Sequence, residues 1–223
     1  MARNSALRAV VFDLDGLLFN TEDLYDHVMQ ELCQRRGLVF TEELRVKMMG
    51  RPGELALVEM IEHHSLKHDQ PAALLQESDV IFTALLATQL APMPGMWDLL
   101  AALEREEVPK AIGTSSRRQY VDYVLGRYHL VERFSFILTS ESVRQGKPHP
   151  EIYLTAAEQH GVSPSEIMVL EDSQNGCRAA VAAGTFAVAV PGTHSRTHCF
   201  KGASLLADSL ADPRIYAALD LKM

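Results

Sequence analysis

Two carboxylates close an apolar run near the start of the chain, in the stretch VVFDLDGLLFNTE (10–22). Asp13 and Asp15 are separated by one leucine, and Gly16 follows directly. Because side chains alternate along an extended chain, both carboxylates would point to the same side. Asp13 could attack phosphorus as a nucleophile, and Asp15 could protonate the leaving oxygen and then activate water. Gly16 would let the backbone bend sharply at this point.

Groups suited to holding a phosphate follow two later apolar runs. In GTSSRR, Thr114 offers a hydroxyl, and the backbone N–H groups of Ser115 and Ser116 are predicted to open a helix. A helix N-terminus of this kind attracts anions. In GKPHP, Lys147 offers a positive charge for phosphate oxygens and for Asp13.

Two further carboxylates, Glu171 and Asp172, occur in the stretch EDSQNG. Carboxylates that converge without a cation repel one another strongly, whereas carboxylates beside a substrate phosphate are the usual setting for Mg²⁺. Taken singly, each motif is also typical of a turn, a helix cap or a solvated loop. Their occurrence together, each after a predicted strand, favours a magnesium-dependent phosphate site.

The elements that must position these groups form an alternating pattern. Amphipathic helical patterns separate short apolar runs, which indicates an α/β fold with a Rossmann-like parallel sheet. The predicted strands are 7–12, 108–113, 134–139, 167–171 and 186–190. Ligands of open parallel sheets bind beyond the carboxyl ends of the strands, so the candidate groups are expected to meet there.

The interval between the first two predicted strands is too long for one crossover helix, at about 70 residues. Its pattern is helical, and Leu24, Val28 and Leu32 fall on one face of its first helix. It closes at the Pro/Gly linker APMPG. We therefore predict an α/β core domain and an inserted helical domain, with boundaries at 1–19 plus 92–223 and at 20–91.

Composition restricts the partners of the protein. The 223 residues carry a net charge of −8, which argues against binding to nucleic acid or anionic membranes. Three cysteines without a CxxC pair fit a reducing cytoplasm, and no segment has the ~18 apolar residues of a membrane span. We expect a cytoplasmic monomer that acts on a small phosphorylated metabolite.

These motifs resemble those of the haloacid dehalogenase (HAD) superfamily of phosphohydrolases, over nearly the whole chain. FDLDGLLFNTE, IGTSS, GKPHPEIY and VLEDSQNGCRAAVAAG are similar to its four motifs in order, and the inserted helical cap is typical of subfamily I. The resemblance implies a nucleophile at Asp13 and an acid/base at Asp15. Together with the reasoning above, it implies Gly16, Thr114, Ser115 and Lys147 as phosphate-site residues, and Asp13, the Asp15 carbonyl, Glu171 and Asp172 as the residues at Mg²⁺. Arg51, in a loop of the inserted segment, is either a further substrate contact or a solvated loop residue.

The resemblance extends to the branch that holds pseudouridine monophosphatase, glycerol phosphatases and β-phosphoglucomutase. Dehalogenases of the superfamily lack the second aspartate of DLD, so Asp15 favours phosphoryl transfer. Tyr25 stands where the mutase has a histidine, and Arg51 is displaced toward the start of its loop, which favours hydrolysis. We predict a Mg²⁺-dependent phosphatase of sugar, polyol or nucleoside monophosphates. The alternatives are a hexose phosphomutase and an inactive sugar-phosphate-binding protein.

Overall fold

The computed structural model describes residues 6–48, 53–66 and 69–222. These residues divide into two compact units. One unit contains the chain up to Asn20 and from Ala91 onwards, and the other runs from Thr21 to Leu90.

A six-stranded parallel sheet forms the centre of the first unit, with the strand order β3-β2-β1-β4-β5-β6. Its strands are β1 Ala9–Phe12, β2 Lys110–Gly113, β3 Ile137–Leu138, β4 Ile167–Glu171, β5 Phe186–Ala189 and β6 Leu205–Leu206. Every residue of β1, β2 and β4 is buried, as is typical of parallel strands covered on both faces. The predicted α/β fold is confirmed.

The strand order reverses beside β1. The chain adds β2 and β3 on one side of β1 and then returns to place β4 on the other side. In the register of the sheet, Val11 lies between Ala111 of β2 and Val169 of β4. The carboxyl ends of β1 and β4 are therefore neighbours at a topological switch point, where ligands bind in open α/β sheets.

Two strands differ from the sequence prediction. β3 contains two residues where the apolar run predicted six, and β6 was not predicted. β6 is a two-residue edge strand whose Leu206 is 55% exposed, and a run of two leucines is too short for sequence periodicity to detect. Short edge strands of this kind form by pairing with a neighbour rather than by their own pattern.

Helices surround the sheet in the first unit. In the second unit, all of the regular structure described is helical. The first unit contains α5 Met96–Arg105, α6 Arg118–Gly126, α7 Glu151–His160, α8 Gln174–Ala182 and α9 Pro213–Ala218. The helical unit contains α1 Thr21–Gln34, α2 Glu42–Met48, α3 Gly53–His64 and α4 Pro71–Gln89. The predicted apolar face of α1 is buried at Leu24, Val28 and Leu32, because it packs against α4. Of the described helices, none has the length and apolar character needed to cross a membrane.

The chain leaves the first unit and returns to it at adjacent points. The N–H of Asn20 donates to the carbonyl oxygen of Ala91 at 3.1 Å, and the N–H of Ala91 donates to Oδ1 of Asn20 at 2.7 Å. Asn20 thus ties together the two connections to the helical unit with a backbone and a side-chain hydrogen bond.

Candidate active site

The β1 end places Asp13 and the turn that follows it at the switch point. Asp13 is buried, and its N–H donates to Leu170 of β4 at 3.0 Å, which extends the sheet pairing beyond β1. Gly16 has a φ of +73°, in the left-handed region that glycine adopts without a steric penalty. Its N–H donates to the carbonyl oxygen of Phe19 at 2.9 Å. The expected sharp bend at Gly16 is confirmed.

Lys147 joins the ends of three strands. Its Nζ donates to Oδ1 of Asp13 at 2.5 Å, to Oε1 of Glu171 at 2.6 Å and to the carbonyl oxygen of Gly113 at 2.8 Å. An ammonium group has three donors, so all of its hydrogen bonds are satisfied by these partners. The Lys147 side chain is only 5% exposed, and it partly neutralises the buried carboxylates.

Burial and charge act in opposite directions on the two partners of this ion pair. Burial raises the pKa of Asp13 to about 8, aided by the carboxylates of Glu171 and Asp15 and opposed by Lys147. Burial would lower the pKa of Lys147, but Asp13 and Glu171 outweigh it and hold that pKa well above its usual value. The two neighbouring carboxylates therefore favour the charged form of Lys147.

Glu171 ends β4 and has hydrogen-bond donors on both of its oxygens. Oε1 accepts from Lys147 and from the hydroxyl of Tyr153 at 2.5 Å, while Oε2 accepts from the N–H and hydroxyl of Ser173 at 3.3 and 3.0 Å. Glu171 is 1% exposed, so these bonds replace its hydration. The buried glutamate is therefore the centre of a fixed polar network.

Asp13, Glu171 and Asp172 form a group of three buried carboxylates. One oxygen of each lies within 4.8 Å of the corresponding oxygens of the other two. Carboxylate oxygens at such spacing suit a hard divalent cation. The side chain of Asp15 does not join this group: its Oδ2 accepts from the hydroxyl of Ser116 at 2.6 Å, and its Oδ1 from that of Tyr120 at 2.7 Å.

The segment after β2 differs from the prediction in one respect. α6 begins at Arg118, so the prediction that Ser115 and Ser116 open the helix is wrong. The N–H of Ser116 donates instead to Oγ1 of Thr114 at 3.0 Å in a local turn, a common alternative to helix for hydroxyl residues. Thr114 is buried and Ser115 is exposed.

Arg51 lies outside the described residues. Tyr25 belongs to the helical unit, where its ring stacks on Phe82 with centroids 4.2 Å apart.

Sequence reasoning also missed two groups of the site. Tyr153 could have been noticed, because a tyrosine on the apolar face of a helix needs a partner for its hydroxyl. No sequence signal connects Tyr120 to Asp15.

The fold and the site together define a class: a doubly wound α/β protein with an acidic, lysine-bridged cluster at its switch point. The sequence pattern described as haloacid dehalogenase-like hydrolase matches residues 10–190. The chain belongs to the haloacid dehalogenase-like hydrolases. The resemblance stated from its motifs is thereby confirmed.

Two relatives of the chain are named as phosphatases, which indicates the type of reaction. The chain is 34% identical to a probable pseudouridine-5′-phosphatase of Drosophila melanogaster, with 94% of each chain covered. It is 32% identical to a phosphorylated carbohydrates phosphatase of Thermotoga maritima, covering 80% of this chain and 82% of the relative. The prediction of a phosphoric monoester hydrolase is confirmed.

A solved relative shows the same fold. The crystal structure of an HAD family hydrolase from Deinococcus radiodurans, with bound phosphate and sodium, is similar with a TM-score of 0.80 and 30% sequence identity. The similarity covers 98% of this chain and 99% of that chain. The likeness therefore includes both the α/β core and the helical segment.

Proposed function

We propose that this enzyme hydrolyses phosphate monoesters of small metabolites in a Mg²⁺-dependent reaction that proceeds through an aspartyl-phosphate on Asp13. The observation that carries the proposal is the buried group of Asp13, Glu171 and Asp172, bridged by Lys147 at the switch point. A nucleophile, a fixed cation and oxygen ligands for a metal are the parts that phosphoryl transfer requires.

The residues present fit a magnesium ion. The three clustered carboxylates offer oxygen ligands, and their mutual repulsion exceeds what one ammonium group can neutralise. Since both oxygens of Glu171 already accept hydrogen bonds, we assign direct coordination to Asp13, Asp172 and the carbonyl oxygen of Asp15. Glu171 then supports the metal ligands. When bound, the cation would neutralise charge on the phosphoryl oxygens.

The reaction divides into two displacements at phosphorus. In the first, a carboxylate oxygen of Asp13 forms a bond to phosphorus as the bond to the leaving alcohol breaks, and Asp15 gives its proton to the alcohol oxygen. In the second, Asp15 takes a proton from water as the water oxygen bonds to phosphorus. The bond between phosphorus and Asp13 breaks, which releases inorganic phosphate and restores both carboxylates to their starting states.

Thr114 and Ser115 are the proposed phosphate contacts, with Gly16 shaping the turn beside them. Lys147, whose three donors are taken by protein acceptors, would act on the phosphate through its charge or by exchanging one of these bonds for a phosphate oxygen. Thr114 follows β2 and is buried, and the side chain of Lys147, in the loop before α7, is only 5% exposed, so both can act with little competition from bulk water. We assign the choice of substrate to the helical unit and to Arg51, following the family resemblance. The activities named for the relatives favour sugar, polyol or nucleoside monophosphates.

A panel of phosphate monoesters, assayed for phosphate release with Mg²⁺ and with EDTA, tests the proposal. We expect turnover only with the metal, and its loss in Asp13→Asn, which preserves shape but removes the nucleophile. Asp79→Asn, at an exposed position of α4, is the matched control and should retain full activity. Full activity in Asp13→Asn would refute the proposed chemistry.

The same panel separates the alternative functions. Interconversion of a hexose 1-phosphate and a hexose 6-phosphate that depends on a bisphosphate would identify a mutase. Tight binding of a phosphate ester without turnover would identify a binding protein.

We further propose that the enzyme works as a monomer in the cytoplasm. The thiols of Cys33, Cys177 and Cys199 are all unbonded, which suits a reducing compartment. Gel filtration of the purified protein tests its oligomeric state.

A further inference from the structure

The carboxylate of Asp15 is held by two hydroxyl groups, one on each oxygen. The hydroxyl of Ser116 donates to Oδ2 at 2.6 Å and that of Tyr120 donates to Oδ1 at 2.7 Å. Both distances lie at the short end of the range for hydrogen bonds between oxygen atoms. A carboxylate restrained on both oxygens cannot rotate about its terminal bond without breaking one of these bonds.

Both donors come from the segment that follows β2, 101 and 105 residues away from Asp15 in the chain. The same segment contains Thr114, whose hydroxyl accepts the N–H of Ser116 at 3.0 Å. Tyr120 is the third residue of α6. The end of one strand therefore carries both a proposed phosphate contact and the restraints on the proposed acid/base.

The restraints leave Asp15 able to transfer a proton. A carboxylate has about four lone-pair sites on its two oxygens, and the two hydroxyls use one site on each. A proton can still reside on, and leave from, a remaining site while the group is held in one orientation.

We propose that Tyr120, together with Ser116, is a positioning residue that aims Asp15 at the leaving oxygen of the substrate. The inference rests on the proposed function, because it assigns to Asp15 the transfer of a proton. Its physical reason is preorganisation: a proton-transfer group accelerates a reaction only when it is held in the productive geometry. Without the Tyr120 hydroxyl, Asp15 would sample several orientations, and few of them would reach the leaving oxygen.

The test compares two substrates that differ in their need for a proton. The alkoxide released from glycerol 3-phosphate must be protonated as it leaves, whereas p-nitrophenol is acidic enough to leave as its anion. Because kcat/KM reports the steps up to departure of the leaving group, it isolates the acid role of Asp15 from its later role toward water. A tyrosine that merely supports the fold would affect both substrates equally.

In Tyr120→Phe we expect kcat/KM for glycerol 3-phosphate to fall about tenfold, the effect of one hydrogen bond to a charged group. The value for p-nitrophenyl phosphate should change by about twofold or less. Ser116→Ala should show the same selective loss. The matched control is Tyr123→Phe on the same helix, where the tyrosine is 41% exposed, and both values should stay at the wild-type level.

An equal loss for the two substrates in Tyr120→Phe, or no loss for glycerol 3-phosphate, would overturn the inference. Crystal structures of the wild type and of Tyr120→Phe provide a readout that does not depend on turnover. We expect the Asp15 carboxylate to keep one orientation in the wild type and to move or adopt several in the variant. If the wild type turns over other members of the panel only, the best alkyl phosphate among them takes the place of glycerol 3-phosphate. Absence of turnover across the whole panel refutes the proposed function, whereas an unmoved Asp15 in Tyr120→Phe refutes the positioning role by itself.

Discussion

Replacing Gly176 with alanine would place a methyl group inside the space of the Glu171 carboxylate. Gly176 is the third residue of α8, and a Cβ built on it would lie 1.8 Å from Oε1 and 1.9 Å from Cδ of Glu171. To restore an ordinary contact, the carboxylate or the helix must move by about 1 Å or more. Such a shift would break the short bonds from Lys147 and Tyr153 to Oε1.

Two effects of opposite sign decide how much Gly176→Ala changes the free energy of unfolding. In a helix, alanine is favoured over glycine by about 1 kcal/mol. Breaking a buried ion pair so that a charge loses its partner costs about 3–5 kcal/mol. We therefore expect Gly176→Ala to lower the free energy of unfolding by about 3 kcal/mol, which for a chain of this size lowers Tm by roughly 6–12 °C. Misplacement of Lys147 should also reduce phosphatase activity by about 100-fold.

Urea denaturation and a phosphate-release assay measure the two effects. The control is Gly126→Ala, at the end of α6, where an added Cβ would have no neighbour within 4 Å. It should leave activity unchanged and stability equal to or slightly above that of the wild type. If Gly176→Ala proved as stable and active as Gly126→Ala, the described packing of Glu171 against α8 would be wrong.

Three further predictions test other parts of the structure. Tyr153→Phe removes a donor to buried Glu171, so urea denaturation should show a loss of about 1–3 kcal/mol; unchanged stability would contradict the bond. In EDTA, Asp13 should make Tm fall as the pH rises from about 4 to about 8, because burial raises the pKa of Asp13 from 3.8 to about 8 and the folded protein keeps a proton that the unfolded chain releases. Burial lowers the pKa of His64, His160 and His198, which acts in the opposite direction, so the measure is the Tm of the wild type minus that of Asp13→Asn; a difference that stays constant or rises with pH would refute the prediction. Asn20→Ala should lose about 1 kcal/mol by calorimetry, since the N–H of Ala91 loses its acceptor, whereas Asn20→Asp should not; equal losses would exclude the side-chain bond.

The fold was largely predictable because its signal is local. Buried parallel strands need apolar runs: β1 and β5 are wholly apolar, β2 is apolar after Lys110, and β4 is apolar up to Glu171. Polar residues at the ends of those runs indicated where the chemistry would lie. The two-residue strands β3 and β6 were less predictable, because pairing with neighbours decides their extent.

Contacts within the site depended on segments that are distant in the chain. The hydroxyl of Tyr120 reaches Asp15 across 105 positions of sequence, and Lys147 reaches Asp13 across 134. A lysine near several carboxylates could have paired with any of them or with solvent. Only the packed strand ends determined that it bridges Asp13 and Glu171.

The sequence by itself determined the order of the elements and the residue types at the carboxyl ends of the strands, because these follow from hydrophobic periodicity and local spacing. The tertiary structure alone decided which groups are in contact and how much free energy each contact contributes. Burial withdraws water from Asp13 and Glu171, so that their partners must come from elsewhere in the chain. Gly176 illustrates the difference. The sequence pattern indicates only that it lies in a helix, whereas in the structure the Glu171 carboxylate leaves no room for a Cβ at this position.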